Sequence, residues 1–183
     1  MIGALGVFAV NVSLVLTVIG PDKPGIVQQL AQTVAEHDAN WLQSRMAHLA
    51  GQFAGILRVG VPEHKASALS AALEQLAGEG LRVVIERTVT GDEAGKRQSM
   101  RLDLVGSDRP GIVRDISRAL AERSINVEDL TTECEAAPMS GGMLFRATAD
   151  LHAPRDISLE ELRGTLEELA SDLMVEITLD EGS

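Results

Sequence analysis

The chain has 183 residues, 45% of them hydrophobic, which is enough for a packed core and excludes wholesale disorder. A formal net charge of −11, with 2% aromatic residues and no Tyr, opposes attraction to nucleic acid or an anionic membrane, and it leaves few rings on which single strands could stack. The single cysteine, Cys134, excludes an intrachain disulfide and fits a reducing compartment.

The first letters, MIGALGVFAVNV, are apolar, with no Lys or Arg before them. They are too short to span a bilayer and lack a basic leader, so they read as a strand extension or packing arm of a cytoplasmic protein. Val12 to Ile19 is β-rich. Pro24 to His37 carries apolar residues at 26, 27, 30, 31, 34 and 35, the pattern of a helix with one buried face, and Pro24 suits its first turn. Asn40 to Leu49 reads as a strand, Gly51-Gln52 as a tight turn, and Phe53 to Val61 as an alternating strand. Lys65 to Ala77 is predicted helical and stopped by Gly78 and Gly80; Leu81 to Val89 closes the set as a strand.

The same order then recurs. Residues 19–27 read IGPDKPGIV and residues 105–113 read VGSDRPGIV. Past those nine letters, Leu30, Val34 and Ala35 align with Ile116, Leu120 and Ala121, and Asn40 aligns with Asn126. Strands are predicted at Met100 to Val105, Asn126 to Glu135, Met143 to Leu151 and Met174 to Leu179, with helices at Pro110 to Arg123 and Leu159 to Leu173. A repeat of this length is a small domain rather than a solenoid unit. The polar stretch TGDEAGKRQS between the copies reads as a linker, in which Lys96-Arg97 is a solvated pair. The domains are therefore placed at 1–90 and 99–183, with the linker at 91–98.

The order βαββαβ, twice, is the ferredoxin-like split βαβ arrangement. The fold class is α+β: two tandem four-stranded antiparallel sheets, each with its helices on one face. The first and third strands are central and the second and fourth are edges, so edges and one sheet face need cover, from the other copy or from a homodimer.

On DKPGIV, DRPGIV and the two Asn residues that open the second strands, the chain resembles tandem ACT-domain regulatory proteins over about residues 12–90 and 99–180. LAGQFAGILRVGVP at 49–62 and APMSGGMLF at 137–145 are similar to the glycine cleavage system transcriptional repressor family. That resemblance implies a non-catalytic protein that senses a small amino acid, glycine foremost, with no other cofactor. It also implies action through a LysR-type transcription factor rather than through DNA. The regulatory subunit of an amino-acid-controlled metabolic enzyme is the alternative of the same build. An enzyme in its own right has no motif to support it.

The ligand contacts implied are Asp22, Lys23, Pro24, Gly25, Ile26 and Asn40 in the first copy, and Asp108, Arg109, Pro110, Gly111, Ile112 and Asn126 in the second. A helix start offers unpaired N–H groups and a partial positive charge to a carboxylate. Gly allows close approach, Asp can accept an ammonium, and Asn offers donor and acceptor. Asp and Asn before helices are equally often local caps, so both roles stay open. If the domains pair through edge strands, the Asn of one can face the turn of the other.

Other features read as structural. Cys134 matches His48 in the repeat and is expected in the core beside Leu130 and Thr132. The four His residues lack metal-ligand spacing. Ser140 in PMSGG is a hairpin tip, and the acidic LEELRGTLEELASDL is a solvated helix face over a leucine stripe.

Overall fold

The computed structural model describes residues 11–88, 97–137 and 142–181. The apolar start (1–10), Lys96 and Ser140 lie outside the described residues. The chain forms two compact units. The first contains β1 (Asn11–Pro21), α1 (Ile26–Glu36), β2 (Asn40–Leu49), β3 (Gln52–Pro62), α2 (Glu63–Gln75) extended by a 3₁₀ turn (Leu76–Glu79), and β4 (Arg82–Thr88). The second contains β5 (Arg97–Ser107), α3 (Ile112–Ala121), β6 (Asn126–Ala136), β7 (Met143–Pro154), α4 (Leu159–Leu173) and β8 (Val175–Glu181).

Each sheet is antiparallel, in the order β2-β3-β1-β4 and β6-β7-β5-β8. The first and third strands are thus central, as the split βαβ order requires. One face of β1 presents Leu14, Leu16 and Val18 to the helices. Ile26, Leu30 and Val34 of α1 and Ala66, Leu69 and Leu73 of α2 close over them. The second core repeats this with Met100, Leu102 and Leu104 under Ile112, Ile116 and Leu120 of α3 and Leu162 and Leu166 of α4. Each aliphatic side chain so buried contributes about 1.5–3 kcal/mol.

The first helix of each unit ends in the same way. Asp38 (φ 54) and Ser124 (φ 56) take the left-handed conformation, and the next amides, of Ala39 and Ile125, donate back to Val34 O (3.1 Å) and Leu120 O (3.0 Å). These are Schellman closures, which turn the chain straight into the edge strand. Ser158 caps α4, its Oγ accepting from the Glu161 amide at 3.1 Å.

Boundaries shift where backbone geometry overrides pattern. β5 begins at Arg97, three residues before the apolar alternation, because Gln98 Nε2 donates to Pro154 O (3.2 Å) and Ile157 O (2.7 Å) beside β7. The β2–β3 turn is Ala50-Gly51 rather than Gly51-Gln52: both residues have positive φ (50° and 77°), as a two-residue hairpin of type I′ requires. Cys134 is exposed, which corrects its core placement. It does share the helix-side face, opposite Phe145, but it stands on an edge strand whose residues there are exposed.

The helix-free faces of the two sheets differ at matched register. Ile56 and Val84 flank Thr17 in the first unit and are half exposed, as is Ile19. In the second unit Thr148 and Thr178 flank Asp103, and Thr148 Oγ1 donates to Asp103 Oδ1 at 2.9 Å. At this register the first unit places two half-exposed apolar side chains where the second has threonines.

Candidate functional site

The repeated nine letters form the crossover from the first strand to the first helix. Gly25 and Gly111 are the N-caps of α1 and α3, with φ of 96° and 98°. That region strains any L side chain, which is why glycine recurs there. The left-handed cap also keeps Pro24 and Pro110 outside the helices, one residue before the cap, rather than in the first helical turn. The helices begin at Ile26 and Ile112, both buried. The N-cap at each start is a glycine, which has no side chain to cap with, and Asp22 and Asp108 stand three residues before it. Their main chains act instead: Asp22 N donates to Gly51 O (3.0 Å) and Asp108 N to Met143 O (2.9 Å), pinning each turn to the β-hairpin beside it. Asp22 Oδ2 lies 3.7 Å from His48 Nε2, and that nitrogen accepts from the Gly51 amide at 3.3 Å.

One residue of the repeat escaped the sequence reading. Gly20 and Gly106 sit where the strand passes the start of the last strand. A Cβ on Gly20 would meet Gly80 O at 2.7 Å, and one on Gly106 would meet Val175 Cγ1 at 2.4 Å. The signal was present, since a glycine recurs at the same place in both copies.

Around the first turn, Pro21, Lys23, Pro24, Ile26, Gln29, Gly80 and Leu81 line a recess of about 180 Å³, small beside pockets for drug-sized molecules and of the scale of an amino acid. Nothing lies within 4 Å of a Cβ built on Gly25. The second turn is filled differently. A Cβ on Gly111 would stand 3.0 Å from an Arg114 guanidinium nitrogen and 3.7 Å from Asp115 Oδ2. Asp115 is the one buried charged residue among the described residues, 8% exposed. Arg114 Nε donates to its Oδ1 at 2.9 Å, and an Arg118 nitrogen lies 3.6 Å from the same oxygen. The Arg114 hydrogen bond holds the Asp115 carboxyl below the usual carboxylate range, against the cost of burial and with help from Arg118 and Arg109.

Asn40 and Asn126 are not brought to these turns within their own units. Asn40 lies opposite Gly60, which faces Ser13 at the start of β1, whereas the turn follows Pro21 at its end. The intervening strand is roughly 26 Å long at about 3.3 Å per residue. Asn126 likewise opens β6 opposite His152, and its Nδ2 donates to Glu128 Oε1 at 2.5 Å. Asp22 to Ile26 form one cluster and Asp108 to Ile112 another; each Asn stands apart from both the turn and the helix start of its own unit.

Among the described residues no group of three or more His, Cys, Asp or Glu side chains could hold a metal ion, and no helix is long and apolar enough to cross a membrane.

The ACT domain model matches residues 13–85, the first unit. A UPF0237 protein from Methanococcus maripaludis is 32% identical over 77 residues, covering 40% of this chain and 86% of that protein. The chain belongs to the ACT-domain family. Its tandem arrangement extends the likeness: the glycine cleavage system transcriptional repressor of Escherichia coli strain K12 is 20% identical over 161 residues, spanning 87% of this chain and 85% of the repressor. An unknown protein from Galdieria sulphuraria, known from its crystal structure, superposes with a TM-score of 0.81 at 29% identity, over 95% of this chain and 100% of that one. A structure bearing the name of a glycine cleavage system transcriptional repressor shares the fold, with a TM-score of 0.69 at 19% identity over 93% of this ACT-domain chain and 97% of its own. Two of these long matches, the E. coli protein and the second structure, bear the name of a transcriptional repressor.

Proposed function

We propose that this chain is a non-catalytic, amino-acid-responsive regulator that works by contacting another protein. The observation that carries this is the doubled strand–turn–helix unit. Each turn presents a helix start behind a left-handed glycine, and the two units account for all the described residues. The candidate contacts are Asp22 to Ile26 and Asp108 to Ile112, with Asn40 and Asn126 reaching a ligand only from another domain. The effector would be a small amino acid, glycine first, its carboxylate on the helix-start amides. The half-exposed Ile19, Ile56 and Val84 give the first unit a face suited to protein contact, with a partner or in a homodimer.

For the partner, a metabolic enzyme placed under amino-acid feedback asks least of the chain: the enzyme brings its own active site and the chain brings effector binding and a docking face. The second reading is a transcription factor of LysR type, supported by the similarity to the E. coli repressor along both domains. Either partner fits a cytoplasmic protein, and the −11 charge argues against direct DNA binding in both cases.

Titration calorimetry and thermal unfolding with the twenty amino acids test the effector. A selective ligand at a hundredfold excess over its Kd stabilises the native state by about 2.7 kcal/mol. No heat and no thermal shift at millimolar concentrations would remove the sensing claim. Affinity capture with and without glycine, followed by assay of the captured protein, separates an enzyme partner from a transcription factor.

A further inference from the structure

The two turns share DxPGIV but not the first helical turn that follows. In register, Gln28, Gln29 and Gln32 of α1 stand where α3 has Arg114, Asp115 and Arg118. Helical side chains lean toward the N-terminus, so the residue four places after the cap lies back over it. In α3 that residue is a buried carboxylate. Asp115 Oδ2 comes within 3.7 Å of a Cβ built on Gly111, and the Arg114 guanidinium comes closer still, at 3.0 Å. The space against the glycine is taken by the chain's own ion pair. The carboxylate also occupies the place at a helix start where negative charge is most favoured.

We propose that Asp115, with Arg114 folded over it, acts as a built-in occupant of the second turn, so that only the first turn admits the carboxylate of a free amino acid. The inference rests on the ligand reading above and makes it specific: one effector per chain, at the turn of the first copy. A ligand carboxylate approaching Gly111 meets a volume already filled by the Arg114–Asp115 pair, with the guanidinium committed to the chain's own carboxylate. One approaching Gly25 meets an open cap, neutral side chains at 28, 29 and 32, and Lys23 on the recess wall. The depressed titration of Asp115 keeps this occupant charged at neutral pH.

The test exchanges the two neighbourhoods in the full chain and reads stoichiometry. Glycine, then the other nineteen amino acids, are titrated into the wild type, into Arg114→Gln/Asp115→Gln, and into Gln28→Arg/Gln29→Asp. Circular dichroism and melting check the fold of each. The wild type is expected to bind one equivalent. The first double variant should bind two, and the second should lose binding at least tenfold while staying folded. Should either variant fail to fold, Gly25→Asn and Gly111→Asn, whose new side chain tolerates the left-handed region, decide the matter: the first should weaken binding and the second leave it unchanged. Two equal sites in the wild type, or binding lost through Gly111→Asn and kept in Gly25→Asn, would overturn the inference while leaving the ligand reading intact. Absence of binding by any amino acid to the wild type and to the opened variant would take down both.

Discussion

Gly106→Ala measures how tightly the repeat is built. The added Cβ would sit 2.4 Å from Val175 Cγ1, 2.8 Å from its Cβ and 3.0 Å from its Cα. The first distance is about 1 Å inside the separation at which two carbons attract best. A rotation of Val175 could carry Cγ1 away, but it moves neither the Cβ nor the main chain. Relief therefore requires the start of β8 to shift against β5, where Gly106 pairs with Val175. Overpacking of this kind costs about 1–3 kcal/mol. At about 2 kcal/mol, the transition of a unit of roughly 90 residues should fall by about 8–16 °C. Differential scanning calorimetry of the full chain reads this, and the transition of the first unit serves as an internal reference if the two separate. Gly20→Ala, which would push a Cβ to 2.7 Å from the Gly80 carbonyl, should act on the first unit instead. Melting within 2 °C of wild type for both variants would refute the close-approach account, and these glycines would then need another explanation.

Three further outcomes follow from single residues. Ala50 occupies a left-handed position of a type I′ turn, where Asn-Gly is the favoured pair, so Ala50→Asn should stabilise the first unit by about 0.5–1 kcal/mol in urea unfolding; a loss would contradict the turn assignment. Cys134 should react with a thiol reagent in the folded protein as fast as in the urea-unfolded chain, since it is exposed; protection by more than tenfold would place it back in a core or under a partner. Asp115 faces Arg114, Arg118 and Arg109, and its folded pKa is depressed. Its contribution to stability is therefore full above the ordinary carboxylate pKa and is lost as the pH falls through the folded value. The stability difference between wild type and Asp115→Asn should stay level from pH 7 to about 5 and shrink below about 4. A difference that instead grows toward acid would reverse the assigned cause.

Much of the fold was legible because it is written in periodicities. The alternation in Phe53 to Val61 and the stripe of Leu30 and Val34 each encode a buried face, and the second copy repeats both. The misreadings share a different origin. Proline favours the first helical turn, where the pattern puts Pro24, but a left-handed Gly25 intervenes, and φ is invisible in the letters. Asp22 suits a cap by type and place, but the cap position itself is Gly25, and the Asp22 main-chain amide goes to Gly51 O, a bond set by tertiary pairing. Cys134 was put in the core from face alone. Face is a local property of a strand, whereas burial depends on what covers that point of it, and Cys134 on its edge strand is exposed.

The candidate site divides along the same line. DxPGIV encodes a backbone: a strand end, a pinned amide, a left-handed cap and a buried isoleucine opening the helix. Because both copies need that backbone to fold, the letters they share there carry no information on whether either turn binds anything. What separates the turns lies three to seven residues past each glycine, at 28, 29 and 32 against 114, 115 and 118, where the fold tolerates either Gln or a charged pair. Those positions look like ordinary helix surface to a reading of periodicity. They become informative once the helix start is placed at the glycine, because the first helical side chains lean back across it. A duplication that preserves its scaffold and varies the side chains leaning over it is free to keep one site open and close the other. In a protein of this build, the difference between the copies is therefore a better guide to the ligand than their identity.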